Sequence, residues 1–290
     1  MSVTRYSFAG NRFFVLERML EQGLQVGAIF AVAGSYLERA LAERGIAYEA
    51  VGCKKELIAG LEAAEFDTFV SNGCPFILPI SRLQGGSEKR FINIHPSYLP
   101  DLRGADPVPG ALLYGRDSGA TCHLMNDDID AGDIIARIRI PNTPDLDCGL
   151  LYQLTFKAER EVFDLALERD FEPDGPQQGG KEDIYYTLKP EHLVFSWQQD
   201  SQSIMNRIRA YGTRGQGARF VHAGVTFIVR DAEMVDNPFL MGYLDQYQQN
   251  EVVYNYEGML LVRKDRAFLK LKRIDGELDR LPVGTLLGAV

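Results

Sequence analysis

A doubly wound, mostly parallel α/β sheet followed by a smaller β-rich domain is the architecture this sequence predicts, on three observations. Strand-like and helix-like runs alternate from the first residues to His95. A Pro/Gly/Gln-rich stretch interrupts the chain at Phe171–Lys181. Beyond it the runs become short and alternate apolar with polar side chains. A length of 290 residues has room for two units, and 46% hydrophobic with 24% charged residues is a composition that folds around a core.

Taken in order, Thr4–Ala9 reads as a strand ended by the turn Gly10-Asn11-Arg12, and Phe13–Gln22 as an amphipathic helix. Val26–Val32 is a strand, Ser35–Arg44 a helix stopped by Gly45, Ala47–Val51 a short strand and Lys55–Ala64 a helix. Thr68–Ser71 enters a central strand broken at Gly73-Cys74-Pro75, and Arg90–His95 is a buried strand. After the turn-rich Asp101–Asp106 come a short helix at Pro109–Tyr114, strands at Thr121–Met125 and Ile134–Ile140 around the acidic loop Asn126–Asp133, and a helix at Gly149–Arg169. The Pro/Gly/Gln-rich stretch is the clearest linker signal, so the domains are placed at 1–180 and 190–290. In the second, Ser201–Ala210 reads as a helix, and Phe220–Arg230, Glu251–Asn255, Met259–Arg263 and Ala267–Arg273 as strands of a small barrel. Asp231–Asn250 carries the weakest pattern of all.

Several function classes are disfavoured at once. A formal charge of −9 argues against a protein whose affinity rests on neutralising phosphates, and favours a small-molecule substrate. Met1–Gly10 lacks the basic and apolar segments of a secretory leader, and no stretch is apolar enough to span a membrane, so the chain reads as soluble and cytoplasmic. Cys53, Cys74, Cys122 and Cys148 lie at least 21 residues apart and read as reduced thiols. His95, His123, His192 and His222 are scattered, so no metal is expected. The turn Gly10-Asn11-Arg12 lacks the GxGxxG spacing of a dinucleotide site.

Two stretches carry candidate chemistry. In Phe91-Ile92-Asn93-Ile94-His95-Pro96, residues two apart share a face, so Asn93 and His95 present an amide and an imidazole at the carboxyl end of a strand, where open α/β sheets bind ligands. Such a pair suits donation to a developing oxyanion and proton transfer to a leaving nitrogen; alone, it equally well satisfies backbone groups. The second stretch, Thr121–Ile135, holds four carboxylates in the loop Asn126–Asp133 and lacks the terminal Glu of a calcium loop, which favours a ligand-binding loop. His123, inside a strand, reads as a core or supporting histidine.

The runs Asn93–Pro100, Arg103-Gly104-Ala105-Asp106-Pro107, Gly119–Met125 and Ile129–Ile135 together resemble, in order and spacing, the core of N10-formyltetrahydrofolate-dependent formyltransferases. That family includes glycinamide ribonucleotide formyltransferase, methionyl-tRNA formyltransferase and the sugar N-formyltransferases. Its signature pairs Asn-x-His with a later Asp, and Asp130 stands 35 residues after His95. The resemblance implies a Rossmann-like catalytic domain and direct transfer of a formyl group from folate N10 to a primary amine. Asn93 and His95 would donate to the oxyanion, and Asp130 would orient or charge-stabilise His95 and help remove the amine proton. Phe76, Ile77 and Leu78 would line the pterin opposite Asn126, Asp127 and Asp128, with Ser97, Tyr98 and Leu99 completing the folate site. Gly10, Asn11, Arg12 and Arg103 would meet the acceptor, Arg12 through a phosphate. Around Trp197, Ile204 and Ile208-Arg209-Ala210 the chain resembles, more loosely, the start of the C-terminal OB-like barrel of methionyl-tRNA formyltransferase and of some sugar N-formyltransferases.

The favoured acceptor is a nucleotide-linked amino sugar. Methionyl-tRNA is the alternative: acidity and the lack of a basic insertion count against it, and the cluster Arg263, Lys264, Arg266, Lys270, Lys272 and Arg273 counts for it. Another small amine such as hydroxyornithine, transfer to water, and a module without activity stay open, as does homodimerisation. No membrane partner is expected.

Overall fold

The computed structural model describes residues 4–213 and 216–288, which form two compact units. The first comprises the chain up to Pro107, Asp117–Pro141 and Gln153–Tyr186; the second comprises Val108–Arg116, Asn142–Tyr152 and the chain from Thr187 onward. None of the helices is long and apolar enough to cross a membrane among the described residues.

In the first unit, β1 (Arg5–Gly10), α1 (Phe14–Glu21), β2 (Gln25–Val32), α2 (Tyr36–Arg44), β3 (Glu49–Val51), α3 (Lys54–Ala63), β4 (Thr68–Asn72), α4 (Ile80–Gln84) and β5 (Arg90–His95) follow the predicted alternation. The first five strands are parallel; β6 (Ser118–Leu124) and β7 (Ile134–Ile140) add antiparallel, giving the order β3-β2-β1-β4-β5-β6-β7. Local chemistry sets the boundaries of α2: the Ser35 hydroxyl accepts the Glu38 N–H at 3.2 Å, and Gly45 ends the helix in the left-handed region. β4 is buried along its whole length, as a strand covered on both faces must be. On one face, α1, α2 and the long helix that ends at Glu168 pack through Val15, Leu16, Leu37, Leu41, Val162 and Phe163; on the other, Leu57, Leu61, Phe66, Phe69 and Phe91 form a second core. The strand order reverses between β1 and β4, and β5 lies beside β4, so the carboxyl end of β5 opens beside the switch point.

The Pro/Gly/Gln-rich stretch behaves differently from a linker. Phe171 is buried against Phe163 and Tyr6, the Asp174 N–H donates to the Ile134 carbonyl, and the Tyr186 N–H donates to the Arg103 carbonyl. Residues 171–186 are thus a strap laid along the first unit, anchored at both ends by a buried aromatic ring.

In the second unit, α5 (Pro107–Tyr114) and the first turn of α6 (Cys148–Glu168) precede α7 (Ser201–Tyr211), β8 (Ala218–His222), β9 (Val225–Val235), α8 (Pro238–Met241), β10 (Val252–Tyr256), β11 (Met259–Lys264) and β12 (Ala267–Asp275). The strands form one antiparallel sheet in the order β10-β11-β12-β9-β8. Trp197 is buried beside Phe195, Phe220 and the α7 residues Ile204 and Ile208. The single strand expected over Phe220–Arg230 is a hairpin: Ala223 and Gly224 both take positive φ, and His222 pairs with Val225. A two-residue turn of that hand matches strand twist, and Ala-Gly carries a weaker sequence signal for it than Asn-Gly. The weakly patterned Asp231–Asn250 completes β9 and then covers one sheet face, Leu240, Met241, Leu244 and Tyr247 packing on Val253, Leu261 and Phe268.

Candidate active site

The sheet register builds the site. Asn93 and His95 alternate onto one face of β5, and antiparallel pairing sets Asn93 opposite His123 and His95 opposite Thr121, so four polar side chains share that face. Past the strand, the Thr121 hydroxyl donates to the Ser97 carbonyl at 2.8 Å and accepts the Leu99 N–H at 3.1 Å, which folds the exit loop back over the strand end. That loop presents the Leu102 carbonyl 3.0 Å from His95 Nε2. Because a carbonyl only accepts, the imidazole proton sits on Nε2 and Nδ1 carries the lone pair.

Asp130 comes from the loop after β6 and lies between the two imidazoles, with one oxygen 3.5 Å from His95 Nδ1 and the other 3.7 Å from His123 Nε2. Its carboxylate accepts the Gly104 N–H at 3.0 Å and the Asn93 amide at 3.4 Å. Burial pushes its pKa up, but the imidazoles and the Gly104 N–H outweigh this and hold the carboxyl well below the usual range. His95 is buried, and desolvation lowers its pKa against the pull of Asp130 and the Leu102 carbonyl, so the resting ring is neutral. His123 donates from Nδ1 to the Leu124 carbonyl at 2.7 Å and accepts the Asn93 amide at 3.2 Å on Nε2. The amide, one imidazole and the carboxylate anticipated from the sequence therefore converge, and His123 joins them as the group that orients Asn93 and flanks Asp130.

The other anticipated residues divide into two groups. Ile77 is 53% exposed and faces Asp127, Asp128, Ile129 and Ala131 across a cavity of about 530 Å³ that Arg103 and Tyr185 also line. Its size, one apolar wall and acidic acceptors fit a flat heterocycle with amino substituents, and two of its residues flank Asp130. Phe76 is half-buried on the second core. Leu78, Ser97 and Leu99 are buried outright. The Ser97 hydroxyl donates to the Asp101 carbonyl and Leu99 accepts the Arg137 guanidinium, so these residues shape the loop, while Tyr98 lies under that same guanidinium. Asp127 accepts both the N–H and the hydroxyl of Ser81, and Asn126 accepts the Asp128 N–H within its own turn.

At the end of β1 there is no room for a side chain at Gly10, whose added Cβ would lie 2.1 Å from the Asn72 carbonyl. Asn11 packs its side-chain oxygen against Gly73, and Arg12 pairs with Glu159, a fully buried α6 carboxylate, and lies over the Phe156 ring. Glu159 was not singled out in the sequence, yet it interrupts the apolar stripe Ala158, Val162, Phe163 and Ala166, a legible sign of a buried charge needing a partner. Burial pushes the Glu159 carboxyl up despite Arg12. Arg12→Met is therefore expected to destabilise the protein by about 3–5 kcal/mol at neutral pH. A carboxyl with a raised folded pKa recovers stability as pH falls and loses it as pH rises through that value, so the deficit should shrink toward acid pH. Urea unfolding of both proteins across pH checks this, and a pH-independent deficit would refute the assignment.

Titratable and polar groups gathered at the carboxyl end of a doubly wound sheet define an α/β enzyme site. The family model for formyl transferases matches residues 36–167. Methionyl-tRNA formyltransferases of two Synechococcus strains are similar. For strain JA-3-3Ab, identity is 30% over 222 residues, covering 72% of this chain and 68% of the relative. For strain JA-2-3B'a(2-13), it is 31% over 179 residues, covering 58% and 55%. This chain spans about half the length of most curated relatives it matches. The N-formyltransferase of Helicobacter canadensis, solved with folinic acid and dTDP-3-aminofucose, shares the fold with a TM-score of 0.69 and 16% identity over 93% of this chain and 98% of that one. The chain belongs to the N10-formyltetrahydrofolate-dependent formyltransferase family.

Proposed function

We propose that this protein is a cytoplasmic enzyme that transfers a formyl group from N10-formyltetrahydrofolate to the primary amine of a nucleotide-linked amino sugar. The observation that carries the reading is the ionised Asp130 between His95 and His123, with Asn93 beside it. The folate supplies an activated formyl carbon, and the cavity beside Ile77, Asp127 and Asp128 would receive its pterin. The rest falls to this chain's side chains. Asn93 holds two acceptors at rest, and its 3.4 Å contact to Asp130 is the weaker, so that N–H is free to turn to the formyl oxygen as it gains charge. The amine forms the new C–N bond and gives up a proton to His95 Nδ1, where the imidazolium faces the Asp130 carboxylate. The bond from the formyl carbon to N10 breaks, and that nitrogen leaves with the proton. Ser97 and Leu99 act by holding the Leu102 carbonyl on His95, and Arg12 by balancing Glu159.

The C-terminal unit supports the small acceptor over tRNA. Of its basic cluster, Lys264 is buried with its ammonium on the Trp197 carbonyl and Asn250, Lys270 pairs with Glu233, and Lys272 pairs with Asp231 and Glu233. Cations already paired release few counterions on binding a polyanion. Incubation with the folate donor and a panel of nucleotide amino sugars, methionyl-tRNA and hydroxyornithine, read by mass spectrometry, is expected to give the mass gain of one formyl group on a nucleotide sugar. Formylation of methionyl-tRNA alone, or donor hydrolysis without any amine, would overturn the acceptor assignment.

A further inference from the structure

We infer that Gln177 is a positioning residue that sets Asp130 against His95, acting through the backbone carbonyls of Asp130 and Gly132. Its side-chain amide donates to the Asp130 carbonyl at 2.9 Å and to the Gly132 carbonyl at 2.7 Å. Its oxygen accepts the Arg103 guanidinium at 2.8 Å, and Arg103 reaches Tyr185 on the same strap at 3.3 Å. The Tyr185 hydroxyl in turn donates to the Ile129 carbonyl at 3.4 Å, so the carbonyls of residues 129, 130 and 132 are all held from the strap. Arg103 precedes Gly104, whose N–H is bonded to the Asp130 carboxylate itself. The two clamps therefore share one short segment, and the strap pairs with it through the Tyr186 N–H on the Arg103 carbonyl. Asp130 sits at φ +49°, in the left-handed region that most L-residues other than Asn and Asp avoid, and the bond from Gln177 to its carbonyl helps to fix it there. The family match ends at residue 167, so Gln177 and Tyr185 lie beyond the matched region while the Arg103 and Asp130 segments they hold lie within it.

The kinetic consequence rests on the formyl-transfer reading; the structural one does not. Gln177→Met keeps the side-chain length and removes every hydrogen bond, and Gln177→Glu keeps the acceptor for Arg103 but sets a carboxylate against two carbonyls. Both are expected to lower kcat about 10- to 100-fold with KM for either substrate near the wild-type value, as a small displacement of a reacting group does. Of the groups facing His95, Asp130 raises its basicity while His123 and Arg12 lower it, and only Asp130 is displaced. His95 should then titrate at a lower pH than in the wild type, in the NMR signal of its ring and in the acid limb of the kcat profile. Arg103→Met, at the exposed end of the clasp, should move both readouts the same way by less and serves if the Gln177 variants fold poorly. An unchanged His95 titration in a folded variant overturns the inference, whether or not kcat falls. Should the wild type formylate no amine, the function reading fails and the ring titration alone decides the clasp.

Discussion

Replacing His95 by asparagine is expected to lower formyl transfer by about 10²–10⁴ while leaving folate binding measurable by calorimetry, because the variant keeps a polar group on β5 and loses only the one that titrates. Asp130→Asn should have an effect of the same order. That variant is informative about cause, since asparagine tolerates the left-handed backbone of residue 130 at least as well as aspartate, so backbone strain at that residue does not account for the loss. The pH dependence carries a sign. In the proposed mechanism neutral His95 accepts the amine proton, and burial lowers its pKa, so wild-type kcat should hold below the ordinary histidine value and fall only at more acid pH. Removing the Asp130 charge withdraws the group that supports the imidazolium and should carry the acid limb lower still. In that mechanism the two residues act as one unit, so the double variant should be about as slow as the slower single one. Losses that multiply would show that they act independently.

Much of this site was legible because the signals are local. The strand period puts Asn93 and His95 on one face, and the caps Ser35 and Gly45 mark α2 to the residue. What escaped depends on partners distant in sequence. His123 reads as a supporting or core histidine from its strand position, but its partners follow from the antiparallel register of β6 on β5, which no window of residues contains. The stretch after α6 carries linker composition, but Phe171 and Tyr186 are the apolar anchors that turn it into a strap, and Gln177 gains its meaning only once those are docked. Ser97 and Leu99 sit inside the most recognisable run of the chain and yet face inward, because the Thr121 hydroxyl draws their backbone over the strand end. A motif identifies the place where chemistry happens; which of its residues touch a ligand is decided by hydrogen bonds made elsewhere.

Gly132 is where that dependence is most exposed, and Gly132→Ala is expected to cost about 1–3 kcal/mol of stability together with about 10²-fold in kcat. A Cβ at residue 132 would lie 1.8 Å from the Leu124 carbonyl oxygen and 2.7 Å from its carbon, and backbone cannot swing aside as a side-chain tip can. That same carbonyl accepts the His123 Nδ1 proton, and the Leu124 N–H closes the loop on the Asp133 carbonyl at 2.9 Å. Relief of the clash must therefore push the loop off β6, which moves Asp130 away from His95 and releases the imidazole that orients Asn93. Gly27→Ala, in β2, is the matched control: its Cβ would come no nearer than 4.0 Å to the Tyr6 carbonyl, and both stability and turnover should stay near wild type. Urea unfolding and steady-state kinetics on the two variants separate the cases. A Gly132→Ala protein that keeps full turnover would mean the loop can leave the strand without disturbing the carboxylate, and the coupling between the β6 backbone and the proton-handling pair would have to be abandoned.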